Sequence, residues 1–218
     1  DIAAKDFLEY YKERFDTAEI NNSFYQLPDK NTLRQWSKLT GKGFTFAVKG
    51  SRYITHMKKL KDPEKGVPNF LDVVTELGEN MGPVLFQLPP RWRVNAERLR
   101  NFLDELPDEH RYTFEFRDES WFTDEVFEAL EEYNAAFCIY QIEGRQSPYK
   151  ATADFVYVRL HGPSEQAYQG QYSDDTLKEW AEKTGNWIDE NKDVYIYFDN
   201  DQAGYAPRDA MRLKEMLG

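Results

Sequence analysis

Cysteine is nearly absent from this chain: Cys138 is the single one in 218 residues. No internal disulfide can form, so a reducing, cytosolic compartment is the expectation. No apolar run approaches the roughly 18–20 residues of a membrane-spanning helix, and no signal peptide is visible. No low-complexity or Gly/Ser-rich stretch divides the sequence, which argues for one domain over residues 1–218. Positive charge is in deficit, with 28 Lys and Arg against 39 Asp and Glu and a net charge of −11. Such a balance argues against general duplex-DNA binding, which depends on cations meeting phosphates. GxGxxG, Walker and HExxH patterns are missing too, so no standard nucleotide or zinc signature is present.

What the chain does contain is aromatic residues, at 16%, and a repeated alternation of strand-like and helix-like segments. YTFEFRDESWF, residues 112–122, puts Thr113, Glu115 and Arg117 on one face and Phe114 and Phe116 on the other. Further strands are expected near 17–21, 44–50, 82–90, 135–141, 154–162 and 193–200, with helices between them. Asn95 and Thr123 are placed to cap helices, and Gly41 and Gly78 to end them. A helix is expected over 2–15, and another from about 174 to 190. Nearly every strand ends in a polar group opposite its apolar face. That pattern suits the mouth of a TIM-type (β/α) barrel, where all strand ends converge, better than an open doubly wound sheet.

The inward strand-end set is then Glu19, Asn21, Lys49, Gln87, Glu115, Arg117, Arg159, His161 and Asp199. The bland reading is a self-satisfied ion-pair network, because isolated interior charges are too costly to stand alone. The functional reading makes Glu115, His161 or Glu19 the acid–base group and Lys49, Arg117 and Arg159 the holders of negative charge. Arg52 and His56 in the loop after Lys49, and Trp121 after Arg117, join the ligand-binding candidates. His110, just before a strand, belongs at the opposite end, and Cys138 reads as an inert buried thiol. Two further alternatives remain open. Glu19, Glu115, His161 and Asp199 could serve a divalent metal, or Glu19 and Glu115 a glycosidase-like pair. Lys49, Arg117 and Arg159 crowd the same strand ends and oppose a dication, so no cofactor is expected.

Segments 49–65 and 91–100 hold ten cations and three acids, a net +7 that leaves −18 for the rest. This island on an acidic body focuses anions toward one sector. The loops add Phe24, Tyr25, Tyr53, Trp92, Tyr168, Tyr172 and Tyr205, which could stack on bases or sugars. The expected partner is therefore a small anionic, phosphate-bearing or nucleotide-like ligand. A non-catalytic module for single-stranded nucleic-acid fragments is the rival, and the residues leave open whether the protein is an enzyme.

Six ordered motifs bear on family: EINNSFYQLP, FAVKGSRYITH, VLFQLPP, FEFRDESW, YVRLHG and YIYFDND. Together they resemble the YecE-like family, catalogued as domain of unknown function seventy-two, and the resemblance implies a TIM-barrel fold. The family's first strand carries a Gly-rich motif ending in Trp that is missing here. An additional strand preceding Asp1 is accordingly expected, because seven strands leave two edges of a barrel unpaired.

Overall fold

A computed structural model describes residues 6–218, and its fold is α/β of the TIM type. The chain forms two compact units, one running to Tyr133 and the other from Asn134 to Gly218.

The first unit opens with α1 (Phe7–Lys12); the earlier part of the helix expected over 2–15 lies outside the described residues. Four parallel strands follow in chain order: β1 (Thr17–Ile20), β2 (Thr45–Lys49), β3 (Met81–Gln87) and β4 (Tyr112–Glu115). Between them lie α2 (Lys30–Thr40), α3 (Pro63–Val74) and α4 (Ala96–Leu103), and α5 (Asp124–Glu132) closes the unit. Caps explain where these helices start. The Asp29 carboxylate accepts from Asn31 N at 2.8 Å, Asn95 Oδ1 from Arg98 N at 2.9 Å, and Thr123 Oγ1 from Val126 N at 3.4 Å.

Strand phase decides everything that follows. Register pairs Glu19 with Ala47, Lys49 with Leu85, and Gln87 with Glu115, so these side chains share one face. The other face presents Phe46, Val48, Val84, Phe86 and Phe114. Helices cover that apolar side: Trp36 of α2 stacks on Phe46 at 6.2 Å, and Phe70 of α3 and Phe102 of α4 reach Phe86 at 6.5 and 5.1 Å. The polar strand ends consequently lie on the face turned away from the helices, the inner face of a fold of this type.

The second unit contains β5 (Ala136–Ile142), β6 (Arg145–Gln146), β7 (Phe155–Leu160) and β8 (Asp193–Phe198). β7 pairs in parallel with both β5 and β8, whereas β6 folds back antiparallel on β5 as a small unexpected hairpin. α6 (Asp174–Asp189) and α7 (Tyr205–Leu217) complete it. Register aligns Tyr140, Arg159 and Tyr197, and Tyr157 with Tyr195, on one face. All seven expected main strands are present. Among the described residues β1 has β2 as its one strand neighbour and β8 has β7, and the strand expected before Asp1 lies outside them.

Candidate functional site

In the first unit, β4 is shorter than its sequence suggests and ends at Glu115. Arg117 lies beyond the strand, yet its guanidinium turns back and pairs with the Glu115 carboxylate. Glu115 is completely buried, so this pairing stabilises a charge that water cannot reach. Glu19 and Glu115 stand on strands separated by β2 and β3, which does not favour the glycosidase-like pairing.

The end of β2 is organised by Phe24. Lys49 Nζ lies 4.7 Å from its ring centroid, and the His56 ring meets it edge-on at 5.0 Å. Ser23 Oγ donates to the Lys49 carbonyl at 2.6 Å and fastens this corner. His56 sits in a single wide helical turn, Tyr53–Met57, and its Nδ1 is 2.9 Å from Thr55 Oγ1. Burial first, then the charges of Arg52 and Lys49, push its pKa down to about 4. His56 is therefore neutral at physiological pH.

The same shift makes a stability prediction. The folded pKa is lowered, so the contribution is fully present above about 6.5 and is lost as pH falls toward about 4. After allowance for partial exposure, the loss is about 1–2 kcal/mol. His56→Gln should flatten the pH dependence of denaturant midpoints in that window by this amount. Identical profiles for the two proteins would contradict the assignment.

Asn21 is exposed and Gln87 half-buried at their strand ends, and Arg52 is exposed. Trp121, expected as a ligand platform, is fully buried instead. Its indole N–H donates to the Trp92 carbonyl at 2.6 Å and its ring stacks on Phe116 at 4.8 Å, so it is core beneath the loop. Phe24, Trp92 and Tyr172 are buried as well, whereas Tyr25, Tyr53 and Tyr168 remain open to solvent. His110 precedes β4 and packs edge-on against Tyr112, away from the C-terminal strand ends.

In the second unit, three predicted residues come together at the ends of β7 and β8. Arg159 Nη2 lies 2.6 Å from Asp199 Oδ2, and His161 Nδ1 lies 3.1 Å from the same oxygen. On the other side of the ring, Nε2 is 3.3 Å from Arg159 Nη1. A guanidinium can only donate, so a neutral His161 accepts at Nε2 and carries its proton on Nδ1, which lies near Asp199 Oδ2 without hydrogen-bonding geometry. Arg159 and His161 are buried, and Asp199 is the more open member. Tyr168 covers the imidazole edge-on at 5.5 Å.

Sequence reasoning missed what fixes this loop system. Asp209, fully buried in the first turns of α7, accepts from Tyr172 N at 3.0 Å, Asn200 Nδ2 at 2.8 Å and Arg212 Nη1 at 2.7 Å. The Tyr172 hydroxyl in turn accepts from Gly162 N at 3.0 Å. Asn200 Oδ1 is enclosed with no donor among the described residues, a place for a water or a ligand N–H or O–H. Among the described residues no group of three or more His, Cys, Asp or Glu converges as a ligand set. No helix among those residues is long and apolar enough to cross a membrane.

The profile of the family described as protein of unknown function DUF72 matches residues 1–218. The chain belongs to the DUF72 family. This DUF72 chain is 24% identical over 251 aligned residues to the UPF0759 protein YunF of Bacillus subtilis, covering 99% of the chain and 88% of that relative. It is 31% identical over 116 residues to the UPF0759 protein YecE of Escherichia coli, spanning 53% of the chain and 43% of YecE. A DUF72 protein from Thermotoga maritima has a similar structure, with TM-score 0.88 and 28% identity over 99% of this chain and 90% of that one. A second, from Enterococcus faecalis, shares the fold at TM-score 0.82 and 19% identity, covering 96% and 87%.

Proposed function

We propose that this DUF72 chain binds a small anionic, phosphate-bearing compound at the C-terminal strand ends of its second unit and transfers a proton on it through His161. The observation that carries the reading is the Arg159–His161–Asp199 arrangement, in which each imidazole nitrogen already has an assigned neighbour. Asp199 orients the ring and offsets the charge that forms when His161 takes a proton, as carboxylates do for catalytic histidines. Arg159 is the group that holds the ligand's negative charge. While it covers Nε2, the imidazole has no lone pair to offer. An anion that draws the guanidinium toward itself uncovers Nε2 as a general base at the moment the ligand is in place. Asn200, next to Asp199, supplies a buried acceptor for a ligand hydroxyl or amine. Glu115 is the weaker candidate, because Arg117 already engages its carboxylate.

The rival is a binding protein that uses the same residues without turnover. Purified protein incubated with panels of phosphoesters, glycosides and nucleic-acid fragments separates the two. The enzyme reading expects turnover of a phosphate-bearing substrate that falls about 10²–10⁴-fold in His161→Gln. Saturable binding without turnover across the panel favours the binding protein. Turnover lost in Glu115→Gln but kept in His161→Gln would move the chemistry to the first unit.

A further inference from the structure

The first unit carries a polar cavity that no strand-end residue lines. It has a volume of about 380 Å³ and opens between the starts of α3 and α4, with Lys61, Asp62 and Pro63 on one wall and Asn95, Glu97 and Arg98 on the other. We propose that it binds the phosphate group of a phosphorylated ligand.

Unpaired positive charge is the main argument. The chain holds 39 acids against 28 Lys and Arg, so a surface cation ordinarily finds a carboxylate. Elsewhere Lys30, Arg34, Arg100, Arg145 and Lys192 pair at 2.6 to 3.3 Å, although Lys38, Lys183 and Arg208 make no ion pair among the described residues. Around this cavity Lys61 and Arg98, the two cations that line it, make no ion pair among the described residues, and neither do Lys59, Lys65, Arg91 and Arg93, which lie near them in sequence. Two acids reach the lining. Asp62 is turned to Lys58 at 2.9 Å, and that ammonium holds its carboxyl below the usual range and offsets its charge, while Glu97 is the acid of the lining without an ion pair among the described residues.

The cations are also positioned by the fold. Trp92, 9% exposed, lies beneath them, with Lys59 Nζ 5.8 Å from its ring and the Arg98 guanidinium 6.0 Å. Contacts this long orient the two side chains without neutralising them. Arg98 is one turn into α4, whose start is fixed by the Asn95 cap, so its stem projects from a rigid element. The first turns of α3 and α4 both face the opening, and their dipoles add to the same sign of potential. A volume of about 380 Å³ exceeds what inorganic phosphate fills and matches a sugar- or nucleoside-sized phosphate compound. The same phosphate chemistry could come from such a small molecule or from the backbone of a single-stranded oligonucleotide.

Calorimetric titration of the full chain with inorganic pyrophosphate, and separately with a short oligothymidylate, tests the proposal. Lys61 is exposed, so Lys61→Ala leaves the fold intact. It should weaken one class of pyrophosphate sites about tenfold, and Lys61→Ala with Arg98→Ala should remove that class from the isotherm while any binding at Arg159 remains. Lys178→Ala, whose ammonium lies beside Asp175 in the second unit, should change nothing. His161→Gln should bind pyrophosphate here as the unaltered chain does, which keeps this cavity independent of the proton-transfer reading. Tighter binding of the oligonucleotide, lost in the same variants, identifies a phosphodiester source; pyrophosphate binding alone identifies a small molecule. Failure of both probes to bind, or binding indifferent to Lys61 and Arg98, overturns the proposal.

Discussion

Asp209→Ala should destabilise the second unit by about 3–5 kcal/mol, the usual result of deleting one partner of a buried charge network. Asp209 is fully buried, and its two oxygens serve a backbone N–H, a side-chain amide and a guanidinium. Alanine would strand all three donors at once and leave the Arg212 guanidinium without its inner partner. It would also release both the segment leading to Tyr172 and the Asn200 turn after β8. For a chain of this size the loss corresponds to a fall in Tm of roughly 6–20 °C. Asp209→Asn keeps the shape and half the acceptor capacity and should cost less. Thermal and chemical denaturation of the three proteins checks the order, and a loss below about 1 kcal/mol for alanine would contradict it.

Gly162→Ala should be comparably severe, for a different reason. Gly162 follows His161 directly and has φ +106°, a conformation that side chains rarely adopt. A Cβ there would collide with the Gln169 carbonyl oxygen and stand 2.9 Å from Gln169 N. Both obstacles are backbone, so neither can swing aside. The loop that returns Tyr168 N to the His161 carbonyl at 2.6 Å must therefore open. Strain of about 1–3 kcal/mol from the backbone, with overpacking of similar size, gives an expected total near 3–5 kcal/mol. Any activity should fall with it, because Tyr168 no longer covers His161. Full stability and unchanged hydrogen exchange over 161–173 would show that this loop is not held as described.

These two residues mark where the sequence stopped being legible. Strand phase was readable because alternation ties each polar residue to its neighbours, and register then confirms it, as with Gln87 opposite Glu115. Asn95 and Thr123 were readable because capping is a local geometry. The Asp209 network was not, since only Arg212 is a local partner and Asn200 and Tyr172 lie 9 and 37 positions away. One signal existed: Asp209 lies on the same α7 stripe as Ala206 and Leu213, where an apolar residue would be expected. Trp121 was misplaced because sequence gives no measure of how deeply a loop aromatic sinks. The depressed His56 pKa depends on the fold bringing Phe24, Arg52 and Lys49 around one ring.

The Arg159–His161–Asp199 site is tested most directly by a crystal structure of the full chain grown or soaked in inorganic phosphate. The account predicts phosphate oxygens within hydrogen-bonding distance of the Arg159 guanidinium, with that group drawn off His161 Nε2 and Asp199 still facing Nδ1. Phosphate bound elsewhere at saturating concentration, with Arg159 unmoved on His161 and Asp199, would contradict it.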